Sequence, residues 1–206
     1  FNNVMAPWRV NSLTFPFVFC TWCFLLAARA MHGMPPAHMA TPELPAAVTA
    51  LGRLPFGDLV EGWLKGLSQV FLIDSGLFFL LGLLVADRKA ALWAAIGSAA
   101  ALLGAWAFGA ERSAIATGLY GFSPVLTAIA LATVFHRPTL RSSLWALLGI
   151  AATLFIQAGM NSLTAPLGIA TLTAPFCVAT WLFLLPRLQF DEQPKPDHSD
   201  WNGRQA

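Results

Sequence analysis

Leu13–Leu26 reads LTFPFVFCTWCFLL, and Leu172–Leu185 reads LTAPFCVATWLFLL. Nine of these fourteen positions are identical at a shift of 159 residues. The echo extends upstream, so that Phe1 to Leu26 lies over Met160 to Leu185, with Asn2, Ala6 and Pro7 repeated as Asn161, Ala165 and Pro166. A repeat this long in an apolar chain predicts two structural copies of one membrane unit. Residues 1–28 are read as the end of the first copy and 55–186 as the whole of the second. The chain opens on Phe1 rather than Met, so it is read as a partial chain with the remainder of the first copy upstream.

Composition sets the class. The 206 residues are 57% hydrophobic and 11% charged, with a mean hydropathy of +0.64, whereas soluble domains carry about a quarter charged residues. Ala90 to Gly109, Leu144 to Gly159 and Leu172 to Leu185 with its preceding half-segment are apolar on the scale of a bilayer crossing. The fold class is therefore an all-α integral membrane protein. A net charge of +2 with scattered basic residues and no cationic run gives no sign of a nucleic-acid partner, and none is expected. Three cysteines make no disulfide framework. Cys20 and Cys23 form a C-x-x-C, but the second copy has Ala179 and Leu182 there, which points to packing. His32 and His38 lack an acid partner, so no metal site is expected. With no nucleophile–base pair, phosphate loop or nucleotide fingerprint, neither an enzyme nor a cofactor is expected.

Between the copies, residues 29–54 are rich in Pro, Met and Ala and read as an extramembrane connector. Pro55 to Leu72 and Leu77 to Ala86 read as two short helices parted by Ile73-Asp74-Ser75-Gly76, together one broken crossing. Ala90 to Phe108 is a plain crossing, and 111–119 a re-entrant half-helix. Ser123 to Phe135 is the next helix, with Ser123 as N-cap and Pro124 at the first helical position. Leu140 to Ala158 crosses again. Asn161 to Thr171 followed by Leu172 to Leu185 forms a second broken crossing, interrupted at Pro166, Gly168 and Pro175. Residues 187–206 are a polar tail. Five crossings plus a half-helix per repeat is an odd count, which forces the copies to insert with opposite orientation. Arg88, Lys89, Arg137, Arg141, Arg187, Lys195 and Arg204 then share one side, against Arg29, Arg53 and Arg112. The richer side is expected to be cytoplasmic, tail included.

Interrupted helices free backbone groups, each costing several kcal/mol in hydrocarbon unless a polar partner satisfies it. Both copies break at one motif, Thr14 with Pro16 and Thr173 with Pro175. A twofold relation brings Thr14 and Thr173 together near the midplane as an oxygen ladder for a neutral, donor-rich solute; bonding back to their own helices is the alternative. Gln69, beside Val70, offers an uncharged donor and acceptor, or a helix-to-helix hydrogen bond. Phe122 and Leu126 share a helix face and form either one wall of a slot or core packing.

At these residues the chain resembles the urea transporter family, of bacterial type. The resemblance rests on LKGLSQVFLIDSGLFFLLGLL (Leu64 to Leu84), GLYGFSPVLTAIALAT (Gly118 to Thr133) and the doubled LTxPFxxxTW. It implies an inverted-repeat channel, a homotrimer with one pore per subunit, in the lipid bilayer of a bacterial inner membrane, passing urea down its gradient. It places the polar gate on Gln69 and Val70, the aromatic slot on Phe122 with Leu126 below, and the midplane threonines on Thr173 and Thr14. Two positions depart from the family pattern. Its Asn-Gly is Ser123-Pro124 here, and its paired polar residues are Asp74-Ser75. Other expected solutes are ammonia, water or a short amide. A different class of reading is a non-transporting fragment or accessory subunit.

Overall fold

The computed structural model describes residues 1–31, 33, 55–68 and 73–186. Gln69 and Val70, nearly all of the connector, and the tail 187–206 lie outside the described residues.

The described residues form helices joined by turns and short breaks, without a strand among them. The elements are α1 (Asn2–Met5), α2 (Phe15–Ala30), α3 (Phe56–Ser68), α4 (Ile73–Ala86), α5 (Arg88–Ala107), α6 (Arg112–Ala116), α7 (Leu119–Ile129), α8 (Leu140–Thr164) and α9 (Ala174–Leu184). Single 3-10 turns follow α1 at Ala6–Trp8 and α8 at Ala165–Leu167, and α7 widens into a π-turn at Ala130–Val134. Among the described residues, two helical stretches, Arg88–Ala107 and Leu140–Leu167, are long and apolar enough to cross a membrane. Many of the large exposed side chains are apolar, such as Phe78 and Val85 on α4 and Leu148 and Phe155 on α8.

Local chemistry sets the helix ends. Asp87 caps α5, its carboxylate accepting from Lys89 N at 2.8 Å. Thr139 and Ser142 form a reciprocal capping box at the start of α8, at 2.8 and 3.1 Å. Gly118, at φ +76°, separates α6 from α7.

Small residues let the central helices meet backbone to backbone. A Cβ on Gly62 of α3 would lie 2.2 Å from the Ile115 carbonyl oxygen, and one on Gly66 would lie 2.9 Å from Gly121 Cα. Ser98 Oγ donates to the Trp63 carbonyl (2.9 Å), and Trp63 Nε1 to the Ala95 carbonyl (3.0 Å). These contacts seat α3 and α5 on α7 in the small-residue packing familiar from membrane helices.

Several expected boundaries are corrected. Ile73-Asp74-Ser75-Gly76 is not a spacer but the first turn of α4, and α4 packs alongside α3, with Gly76 against the Leu64 backbone. Ser123 and Pro124 are not an N-cap pair. α7 begins four residues earlier at Leu119, leaving Pro124 inside the helix and both residues buried. The half-helix expected over 111–119 is helical only across Arg112–Ala116. The helix expected to end at Ala158 continues to Thr164, so Asn161 belongs to α8 and the non-helical break spans 168–173. α2 runs to Ala30, two residues beyond the boundary at 28.

Candidate functional site

The two copies build the same local backbone 159 residues apart. The alanine–proline turn of Ala6–Trp8 recurs as Ala165–Leu167. Each turn ends in a left-handed residue, Arg9 (φ 54°) and Gly168 (φ 60°). A second left-handed residue follows in each, Leu13 (φ 53°) and Leu172 (φ 52°). Next come Thr14 (φ −90°, ψ 5°) and Thr173 (φ −93°, ψ 12°), and helices α2 and α9 start one residue later with Pro16 and Pro175 in their first turns. A leucine in the left-handed region costs roughly 1–2 kcal/mol, and such strain persists only where the surroundings hold it.

Reciprocal hydrogen bonds hold the two segments against each other. Trp22 Nε1 donates to the Ala170 carbonyl and Trp181 Nε1 to the Asn11 carbonyl, both at 2.8 Å. The partners correspond at the same 159-residue shift, so the contact is self-complementary, as across a twofold axis. At its centre Thr14 Oγ1 and Thr173 Oγ1 lie 2.7 Å apart. Neither hydroxyl caps its own helix. Cys177 Sγ lies 3.4 Å from Thr14 Oγ1, whereas the corresponding position in the first copy is Val18. Phe15 stacks edge-on against Trp181, ring centroids 5.1 Å apart.

α7 supplies one side of this region. Leu126 packs with Leu13, Phe15 and Trp181 around buried Ala130, Phe176 and Cys177. Phe122 sits one turn earlier and is half-buried. The structure thus brings Thr14, Thr173 and Leu126 into one neighbourhood, with Phe122 on the adjoining turn. Gln69 and Val70 fall outside the described residues.

A buried polar network escaped the reading of the sequence. Ser123 Oγ donates to Gln157 Oε1 at 2.8 Å. Gln157 Nε2 donates to Asn161 Oδ1 at 2.7 Å and to Thr171 Oγ1 at 2.9 Å. One turn along, Thr153 Oγ1 donates to Thr127 Oγ1 at 3.0 Å. Gln157 is 1% exposed. The signal available for it was the run LFIQAGMN, a glutamine and an asparagine four apart in an apolar helix.

The cations near these segments lie at the outer ends of the breaks, where Arg9 ends the first turn and Arg29 donates to the Leu167 carbonyl. The described ion pairs, Lys65 with Glu61 and Arg112 with Asp58, join residues of α3 and α6. Among the described residues no three His, Cys, Asp or Glu side chains gather as a metal site. The chemistry on offer is hydroxyl, thiol and apolar wall, suited to an uncharged solute rather than an ion.

The family described as "UT: Urea transporter" matches residues 1–188. "Urea transporter 1" of Ovis aries and of Capra hircus are each 29% identical over 187 residues, covering 89% of this chain and 49% of the relative. "Urea transporter 1" of Mus musculus is 28% identical over the same coverage. The chain spans about half the length of the curated relatives it matches.

Proposed function

The chain belongs to the urea transporter family, and from that premise we propose that it forms part of a passive channel carrying urea across a membrane past the Thr14–Thr173 pair. The single observation that carries the reading is the 2.7 Å contact between those hydroxyls, 159 residues apart in sequence. Urea is small, planar and neutral, with four N–H donors and one carbonyl. A slot with an aromatic and aliphatic wall, Phe122 and Leu126, selects flatness, and the threonine oxygens replace hydrogen bonds lost to water. Gln69 and Val70 stand in this reading at the polar entrance.

The architecture that goes with it is a pair of oppositely inserted repeats, each of five crossings and a half-helix. Three copies assemble in a bacterial inner membrane, with the tail cytoplasmic. The reciprocal tryptophan bonds support the twofold part of this reading. Ser123-Pro124 favours a second reading, in which ammonia or a short amide passes as well, because a buried serine replaces an amide side chain beside Phe122.

Stopped-flow light scattering on proteoliposomes tests the proposal, comparing urea, acetamide, glycerol and ammonium. Fast, saturable urea entry that ignores sodium and proton gradients is expected. Entry no faster than in empty liposomes would remove the transport reading.

A further inference from the structure

We infer that Asn2 with Ser12, and Asn161 with Thr171, are paired clamps that aim the two threonine hydroxyls, and that Gln157 ties the second clamp to the helix carrying Phe122. The inference rests on the reading of Thr14 and Thr173 as part of the solute path and assigns positioning residues to it.

Each threonine follows a leucine held in the left-handed region, Leu13 or Leu172. Each leucine in turn follows a buried hydroxyl residue, Ser12 or Thr171, at 5% and 4% exposure. In the first copy Ser12 donates twice to Asn2 Oδ1, from Oγ at 2.7 Å and from its backbone N at 3.1 Å. In the second, Thr171 Oγ1 donates to Asn161 Oδ1 at 3.3 Å. The clamps correspond at the repeat shift, so the same bond holds the same bend on both sides. A bend that a leucine does not adopt alone needs such an outside hold.

The second clamp reaches further. Gln157 uses its amide nitrogen on both Asn161 and Thr171 and its oxygen on Ser123. Ser123 adjoins Phe122 on α7, and Thr171 lies two residues before Thr173. One chain of buried hydrogen bonds therefore fixes the spacing between the aromatic wall and the threonine pair. In a low-dielectric interior such a chain is stiff, and removing one member leaves its neighbours unsatisfied.

A crosslinking experiment reads the aim of the threonines without any solute. In protein whose native cysteines Cys20, Cys23 and Cys177 are replaced by alanine, Thr14→Cys and Thr173→Cys are introduced together. Oxidant-driven disulfide formation is then timed in membranes. Rapid crosslinking is expected with the clamps intact. Gln157→Leu, which removes three buried hydrogen bonds, and Thr171→Val, which removes two, are expected to slow it by about tenfold or more. Thr171→Ser, which installs the residue of the first copy, keeps the original rate. In the native-threonine protein, Thr171→Val shifts the urea-to-acetamide permeability ratio and Thr171→Ser restores it. Equal crosslinking rates in all variants overturn the inference, as does Thr171→Ser slowing to the level of Thr171→Val. If Gln157→Leu fails to fold, the valine–serine pair at 171 still decides. Absence of urea entry in the unmodified protein would sink the transport reading instead and leave the crosslinking result standing.

Discussion

A threonine at the head of a helix ordinarily turns its hydroxyl onto the helix's own first amides. Thr14 and Thr173 do not; each faces the other. Pro16 and Pro175 explain part of this, because a proline at the second helical position has no N–H to offer the cap. The threonine pairing was legible in the sequence because the same two residue types recur at one shift, and a shared backbone follows from a shared local sequence. Gln157 was legible only in its local bond to Asn161, since Ser123 and Thr171 come from other segments that only folding brings to it. Phe122 offers a prediction at this scale. In the urea reading, Phe122→Ala opens the slot wall, so acetamide and glycerol permeability rise severalfold relative to urea in the solute panel. An unchanged ratio would return Phe122 to plain core packing.

At the scale of elements, local signals were overruled where packing had more to gain. Ser123-Pro124 has the residue types of a helix start, yet α7 begins at Leu119 because left-handed Gly118 lets the chain turn there. The serine hydroxyl is then used by Gln157 rather than by a cap. Proline in the helix interior cannot donate to the Tyr120 carbonyl, a known cost of about 3 kcal/mol, accepted in a segment packed on α3, α5, α8 and α9. α8 outran its expected end because no proline lies between Ala158 and Thr164 and Gly159 alone does not end it, so the Ala-Pro turn stops it only afterwards. The close helix packing is testable through glycines. Gly62→Ala puts a methyl group against the Ile115 carbonyl, and the forced shift costs about 1–3 kcal/mol. Gly82→Ala on α4 meets nothing within 4 Å and gains up to about 1 kcal/mol of helix propensity. Thermal unfolding of the detergent-purified protein should show a lowered midpoint for the first and an equal or raised one for the second. Equal loss in both would contradict the packing described.

At the scale of the whole molecule, the membrane class was carried by composition and hydropathy. The boundaries were blurred because apolar helices, breaks and half-helices share one residue vocabulary. The echo was the clearest long-range signal, since the reciprocal bonds Trp22–Ala170 and Trp181–Asn11 join residues related by the same shift. That reciprocity yields a prediction: Trp22→Phe and Trp181→Phe each delete one of two equivalent bonds, worth about 0.5–1.5 kcal/mol. Both variants should lower the unfolding midpoint, Trp181→Phe by at least as much as Trp22→Phe because Trp181 also stacks on Phe15. An unchanged midpoint in either would contradict the reciprocal bonds. The central claim concerns the axis itself, where two hydroxyls meet to serve a passing urea. The most direct measurement is urea permeability of proteoliposomes bearing Thr14→Val together with Thr173→Val, which keeps side-chain shape and removes both oxygens. The account predicts a fall of about tenfold or more with reconstitution yield unchanged, and permeability equal to that of the unmodified protein would contradict it.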